Sequence, residues 1–257
     1  MTAKSRPESR PERLLLISDL HLEEERPELT RAFLQFIEQE TPQASALYIL
    51  GDFFNVWIGD DDDRPLNAVV SAALQRQAEA GLKIYLMHGN RDFLLGQHFA
   101  RAAGASLIAD PHVLEHGQYR YLLMHGDLLC TRDTGYQAFR AKVRDPAWQQ
   151  TFLAAPLGER RAFAGQARAT SKSMSSNKAE DIMDVSQDAV EAALIKHGCD
   201  RLVHGHTHRP DIHKFDVNGK PMRRIVLGDW GSQLWYLALT IDSEQLCPVP
   251  LTDYLAD

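Results

Sequence analysis

Cysteine is scarce. The 257-residue chain has three, Cys130, Cys199 and Cys247, with no CxxC pair among them. They cannot all pair with one another, so they read as scattered buried thiols of a reducing compartment. Long apolar runs are missing too. The run Leu14 to Ile17 is far shorter than a signal-peptide core and ends at Ser18-Asp19. No segment approaches the ~20 apolar residues that span a bilayer. Excess positive charge is absent: a net charge of −7 excludes bulk attraction to nucleic acid, although a local basic patch can still hold an anion. Internal repeats are absent, and the only low-complexity tract is Asp60–Asp63, which reads as a solvated loop without chemistry. These absences predict a soluble or peripheral, cytoplasmic protein with no nucleic-acid partner and no obligate protein partner.

What is present suffices for one large core, since 44% of the chain is hydrophobic. Residues 1–12 form a polar, proline-bearing tail, and 13–257 read as a single domain. From Leu14 to Gly104 the pattern alternates. Short apolar strands ("RLLLIS", "SALYIL", "LKIYLM") are separated by helical segments ("ELTRAFLQFIEQE", "NAVVSAALQRQAEA", "LLGQHFARAA"). In the first helix Leu29, Phe33, Phe36 and Ile37 share a face. This alternation predicts an α/β layered fold with helices against a sheet. A hairpin follows around His116-Gly117-Gln118-Tyr119. A helical insertion, with no strand pattern, runs from about 133 to 178. A second β-rich part follows, with Asn218-Gly219 as a hairpin turn.

The chain has 11 histidines, three of them in "HGHTH", 204–208. Ligand-type residues follow directly on several strands: "SDLHL" (Asp19, His21), "GDFFN" (Asp52), "HGNRD" (Asn90, Arg91, Asp92), "MHGD" (His125) and "HGHTH". The carboxyl ends of strands in layered α/β sheets are where ligands bind. One strand-end Asp or His is ordinarily a turn former or a core residue; five such pieces together point to a site. Asp, Asn and His without Cys make a mixed N/O donor set that suits Mn, Fe or Zn rather than Ca. The candidates outnumber what one tetrahedral ion needs, which favours two metals. Gly51, Gly89, Gly126 and Gly205 each stand beside a candidate ligand, where sharp turns aim the next side chain.

"DLHL", "GDFFN", "GNRD", "HGD" and "GHTH", in that order, resemble the motifs of the calcineurin-like metallophosphoesterases. The resemblance implies an αββα sandwich of two mixed sheets flanked by helices, and a dinuclear site with metals about 3.5–4 Å apart. It implies Asp19, His21, Asp52 and His208 around one ion and Asp52, Asn90, His125 and His206 around the other, with Asp52 bridging. His204 has no ligand role in that pattern and reads as a core or supporting residue. Two divalent ions against two ligand carboxylates leave a charge of about +2, which favours an anionic phosphate substrate attacked by metal-activated hydroxide.

Many relatives carry "GNH", whose His can protonate a departing alkoxide; here Arg91 stands in that place. Arginine cannot usefully give up a proton. A departing phosphate monoester, with second pKa about 6, needs none. Arg91 therefore points to pyrophosphate cleavage, its fork clamping a phosphate; the alternative is a structural pair with Asp92. The insertion carries Phe139, Val143, Trp148, Phe152, Leu153 and Phe163, more apolar side chains than a small polar nucleotide needs. Its Arg140, Arg144, Arg160, Arg161, Arg168 and Lys172 either face phospholipid headgroups or form a solvated surface.

Taken with "ISDLHL", "GDFFNVWIGDD", "HGNRDFLLG", "MHGDLLCTRDTGYQ" and "SKSMSSNKAEDIMDV", the chain resembles the UDP-2,3-diacylglucosamine hydrolase family of lipid A biosynthesis in Gram-negative bacteria. That implies a Mn²⁺-dependent pyrophosphatase, with two Mn²⁺ ions, at the cytoplasmic face of the inner membrane. Its products would be UMP and 2,3-diacylglucosamine 1-phosphate (lipid X), with the acyl chains under the helical lid. Asn90 and Arg91 match the family's phosphate-binding pair. Asp133, Tyr136, Ser171, Ser175 and Lys178 match substrate positions on or beside the lid, and His206 doubles as a phosphate contact. Several members have a bulkier polar residue at the place of Ser175, and Asn177 is the compensating candidate. The alternatives are a generic calcineurin-like phosphoesterase or dinucleoside polyphosphate hydrolase, and a non-catalytic scaffold with an incomplete site.

Overall fold

A computed structural model describes residues 12–175 and 184–255; the side chains of 170–175 lie outside the description. The chain runs β1 (Leu14–Ile17), α1 (Pro27–Glu40), β2 (Ala46–Leu50), α2 (Pro65–Glu79), β3 (Lys83–Met87), α3 (Gln97–Ala102) and β4 (Ala105–Leu107). It continues through β5 (His112–His116), β6 (Tyr119–Leu123), α4 (Thr134–Val143), α5 (Pro146–Ala154), α6 (Leu157–Ser175) and α7 (Gln187–His197). The last elements are β7 (Arg201–His204), β8 (Asp211–Val217), β9 (Lys220–Val226), β10 (Gln233–Leu239) and β11 (Glu244–Pro250).

Two mixed sheets result, ordered β11-β10-β1-β2-β3-β4 and β5-β6-β7-β9-β8. The period of two in the strands explains why they pack face to face. Leu14 and Leu16 of β1 join Tyr48, Leu50, Leu123, Val203 and Ile225 in the apolar layer between the sheets. Leu15 and Ile17 point the other way, into the layer under α1, α2 and α3. Leu122 and Leu202 of the second sheet face outward onto Val190 and Leu194 of α7. The α/β sandwich is thus set by alternation within strands of four to seven residues. The anticipated face of α1 is the buried one, with Ala32 added to Leu29, Phe33, Phe36 and Ile37. Both anticipated hairpins form. In the second, Val217 faces Lys220 across Asn218 and Gly219, both at positive φ, the geometry that Asn-Gly favours.

The third helix is shorter than its sequence pattern. Leu94 and Leu95 are buried before it, and the helix starts after Gly96. The reason is Asp60, whose carboxylate accepts the amides of Gly96 (2.8 Å), His98 (2.9 Å) and Phe99 (3.0 Å) and so caps the helix from afar. The four-aspartate run is therefore not a solvated loop. Asp60 also accepts the indole N–H of Trp57 at 3.1 Å, Asp62 is buried beside Arg64, and Asp61, Asp62 and Asp63 meet Arg160 and Arg161 of α6.

That pairing corrects a second expectation. The described arginines of α4–α6 turn toward the body rather than out to headgroups. Arg140 pairs with Asp127 at 2.7 Å, Arg144 donates to the Gly89 carbonyl at 2.8 Å, and Arg168 pairs with Glu23 at 3.1 Å. The side chain of Lys172 lies outside the described residues.

At the end of the sandwich where β7 begins, Glu244 ties the two sheets together. Its carboxylate, 6% exposed, accepts from Tyr121 Oη (2.8 Å), Arg201 Nε (3.1 Å) and Arg223 Nη1 (2.6 Å), three residues of the opposite sheet. Removing one partner of such a buried network strands the other charges. Glu244→Ala is expected to cost roughly 3–5 kcal/mol, read from the urea midpoint and slope; a loss under about 1 kcal/mol would show the network to be solvated.

Candidate metal centre

The residues that follow the parallel strands arrive at one edge of each sheet. β1, β2 and β3 lie side by side and parallel, so Asp19, His21, Asp52 and Asn90 emerge together. β6 and β7 do the same in the second sheet, delivering His125, His206 and His208. Because the sheets face each other, the two sets of loops meet. Within each set the loops are tied by Asp19 N–H to Gly51 O (3.1 Å), His21 N–H to Asp52 O (3.0 Å) and Gly205 N–H to His125 O (2.9 Å), and between the sets His206 N–H reaches Asp19 Oδ2 (2.9 Å) and His125 Nδ1 meets Leu50 O (3.0 Å).

The backbone is strained where these side chains turn inward. Six described non-glycine residues have positive φ, and five are Asp19, His21, Asp52, His206 and His208, at φ values of 49 to 67°. Such conformations cost on the order of 1–3 kcal/mol each and persist only where their surroundings impose them. Of the four neighbouring glycines expected to allow sharp turns, Gly51 and Gly126 do so at φ 90° and 121°. At Gly205 the need is instead close approach: a Cβ there would collide with Asp19 Oδ2 and Ser18 Oγ.

The donors form two groups. In the first, Asp19 Oδ1 lies 3.3 Å from His208 Nε2 and 3.9 Å from His21 Nε2, and the two ring nitrogens are 3.3 Å apart. Among the described residues Asp19 Oδ1 is buried without a hydrogen-bond donor. In the second, the Asn90 side-chain oxygen stands 2.8 Å from both His125 Nε2 and His206 Nδ1. Asp52 lies between the groups, with Oδ2 3.9 Å from His21 Nδ1 and Oδ1 3.7 Å from His125 Nε2. His125 donates its other ring nitrogen to the Leu50 carbonyl at 3.0 Å, so Nε2 is the nitrogen that a metal would take on displacing its proton.

The electrostatics ask for positive charge. Burial, reinforced by the charges of Asp19 and Asp92, pushes the Asp52 carboxyl up to about 7. Burial also pushes His21 down to about 3 and His206 down to about 4, so both rings are neutral. Burial acts to lower His125 as well, but Asp52, Asp19 and Asp127 carry it up to about 9. Asp19 is held well below the usual carboxylate range, against burial, by the surrounding imidazoles of His208, His125 and His21. Two carboxylates, four imidazoles and an amide oxygen converging with an orphaned buried oxygen fit a divalent cation site.

His204 stays outside the cluster. It is buried, contacts the Gly205 carbonyl through Nδ1 at 2.8 Å, and is pushed by burial down to about 3. Asp92 does not pair with the Arg91 guanidinium. Its carboxylate accepts the amides of Gly89 (2.7 Å), Phe53 (2.8 Å) and Asp52 (3.3 Å), shaping the turn that presents Asp52. The Arg91 amide donates to Asp52 Oδ1 at 2.8 Å, and its half-exposed guanidinium enters a cavity of about 780 Å³.

Asn90, His206 and His208 line that cavity from the metal side; Phe93, Phe139, Trp148, Phe152 and Phe163 form an apolar wall. Trp148 stacks on Phe152 with centroids 5.0 Å apart. Asp133 and Tyr136 also line it. Tyr136 donates its hydroxyl to Asp127 at 2.5 Å, and Asp133 caps α4 by accepting the Tyr136 amide. Ser171 and Ser175 are on α6, but their side chains lie outside the described residues, as does Lys178 entirely. Sequence reasoning missed three supporting residues. Asp127 anchors Tyr136 and Arg140, Glu23 holds Arg168 and Asn55 at the cavity, and Asp229 lies 3.7 Å from His208 Nδ1. Asp229 had a signal: "LGDW" repeats the strand-Gly-Asp form of "LGDF".

Residues 12–210 match the model of the calcineurin-like phosphoesterase family. A protein named UDP-2,3-diacylglucosamine hydrolase in Cellvibrio japonicus is 55% identical over 223 residues, covering 87% of this chain and 93% of that one. Proteins of the same name in Hahella chejuensis and Pseudomonas putida are 50% and 49% identical, each covering over nine-tenths of both chains. The chain therefore belongs to the UDP-2,3-diacylglucosamine hydrolase family of calcineurin-like phosphoesterases.

Proposed function

We propose that the protein hydrolyses UDP-2,3-diacylglucosamine to UMP and 2,3-diacylglucosamine 1-phosphate by water attack on the α-phosphorus. What carries this reading is the joining of a polar metal-ligand cluster and an aromatic wall in one cavity. A pyrophosphate fits the first and acyl chains the second. The relatives' name and the Arg91 position support it.

Two Mn²⁺ ions are the proposed cofactors, one held by Asp19, His21, Asp52 and His208, the other by Asp52, Asn90, His125 and His206. When bound they supply charge for the phosphate oxygens and acidify water. The chain's own residues do the rest. Asn90 and His206 orient the phosphate, and Arg91 clamps it with a fork that offers no proton. None is needed, because the departing sugar 1-phosphate is stable as an anion. Tyr136 and Asp133 carry α4 toward the substrate. The insertion of 133–178 is proposed as the lid over the acyl chains, and Ser171, Ser175 and Lys178 as further substrate contacts. No described helix is long and apolar enough to cross a membrane, and the proposed place of work is peripheral, at the cytoplasmic face of the inner membrane.

UMP release from UDP-2,3-diacylglucosamine in detergent with Mn²⁺ is the direct test; an intact substrate sinks the reading. Arg91→His is expected to lower kcat/KM by roughly 10- to 100-fold, the worth of one hydrogen bond to a charged group, while the thermal midpoint stays put. Unchanged activity would remove the clamp. Metal affinity is expected to rise with pH. In the metal-free site the His125 pKa is raised to about 9 and that of Asp52 to about 7, so both bind protons near neutrality that the metal must displace. Between pH 7 and 8 Mn²⁺ binding should tighten about tenfold, one proton's worth. Calorimetry in buffers of different ionisation enthalpy reads the released proton, and pH-independent binding would contradict the assignment.

A further inference from the structure

The aspartate run and the first turns of α6 meet outside the metal centre. Arg160, whose side chain is 3% exposed, donates to Ile58 O (2.7 Å), Ala155 O (2.9 Å) and Asp61 Oδ1 (2.8 Å), with its second nitrogen on Asp61 Oδ2. Arg161 bridges Asp62, at 2.8 Å, and Asp63. The acceptors are fixed from the body: Asp62 is buried and held by Arg64, and Asp60 caps α3. Gly59 stands between them at φ +133°, where a side chain would collide with the Arg160 guanidinium. Neighbouring Trp57 and Ile58 line the cavity.

Apolar packing does little to hold this part of the chain. α5 has no buried residue and α4 only Val143, while Phe139, Leu153 and Phe163 are about 40% exposed. Without Asp61 the buried Arg160 guanidinium keeps two carbonyl acceptors but loses the carboxylate that balances its charge. We propose that the Asp61–Arg160 and Asp63–Arg161 pairs are a latch that holds α5 and α6 over the cavity, and so determine the selectivity for acylated substrates over small phosphodiesters. The second half of that statement rests on the substrate reading above.

The Asp61 and Asp63 side chains are 61% and 76% exposed, so Asp61→Asn/Asp63→Asn can be made without disturbing the core. The doubly substituted full chain, loaded with Mn²⁺, is compared with wild type. KM for the diacylated UDP-sugar is expected to rise about tenfold with kcat held, equivalent to about 1.4 kcal/mol. kcat/KM for bis-p-nitrophenyl phosphate should stay within about twofold, and trypsin should cut between residues 134 and 175 about tenfold faster. Asp61→Glu/Asp63→Glu, which keeps both charges, should recover most of the loss. Unchanged lid cleavage overturns the latch. Faster cleavage with unchanged KM overturns its role in selectivity, as does an equal loss on both substrates. Wild-type protein that leaves the diacylated substrate intact overturns the substrate reading instead, while the cleavage arm still reads the latch.

Discussion

The carboxylate of Asp52 is 2% exposed, with an imidazole 3.7 to 3.9 Å away on either side and the Arg91 amide on one oxygen. Burying a carboxylate that deeply is unfavourable unless positive charge comes with it. Around Asp52 the chain supplies a protonated His125, a distant guanidinium and little else, since His21 and His206 are neutral. The deficit is what a divalent cation fills. Much of the fold serves that one placement. Parallel strands of two facing sheets bring the donors to one edge, Asp92 gathers the amides of the turn that carries Asp52, and the His206–Asp19 and His125–Leu50 hydrogen bonds lock the two edges together.

The strain follows from the same requirement. A strand running out of a sheet points its side chains to alternate faces, and none toward a common centre beyond its end. Turning the chain sharply at Asp19, His21, Asp52, His206 and His208 aims them there, at the cost of left-handed backbone. Gly205 lets the two sheets' loops approach closely enough for His206 N–H to reach Asp19 Oδ2 at 2.9 Å. Orphaned donors, strained backbone and close approach are one device seen three ways.

The sequence displays the local half of this design. Strands, the buried face of α1, the Asn-Gly hairpin and the ligand-type residues at strand ends are all encoded within a few neighbours, so they can be read without coordinates. What cannot be read is long-range pairing. Asp60 caps a helix 36 to 39 residues away, and Asp61 meets Arg160 99 residues on. Nothing in four successive aspartates distinguishes that from a solvated loop. β11 escapes for a different reason: Pro248 and Pro250 argue against a strand, and it is tolerated because β11 lies at the edge of its sheet. β4 is three residues long, too short for any period.

The arginines of the insertion show how charge and apolar surface divide the work. Composition leaves two roles for them, a membrane-facing row or a solvated face. In the structure Arg140, Arg144, Arg160, Arg161 and Arg168 each hold a carboxylate or carbonyl of the body. An insertion fastened by aromatic packing would consume its aromatic side chains in doing so. Fastened mainly by ion pairs and hydrogen bonds, it keeps Phe139, Trp148 and Phe163 on the cavity wall, with Phe152 alone among the insertion's described residues packing onto the main core. The wall is then apolar surface whose partner is not among the described residues. Surface of that kind, opening onto a cluster of metal-type donors, is the physical form that a site takes when one end of its ligand is charged and the other is not.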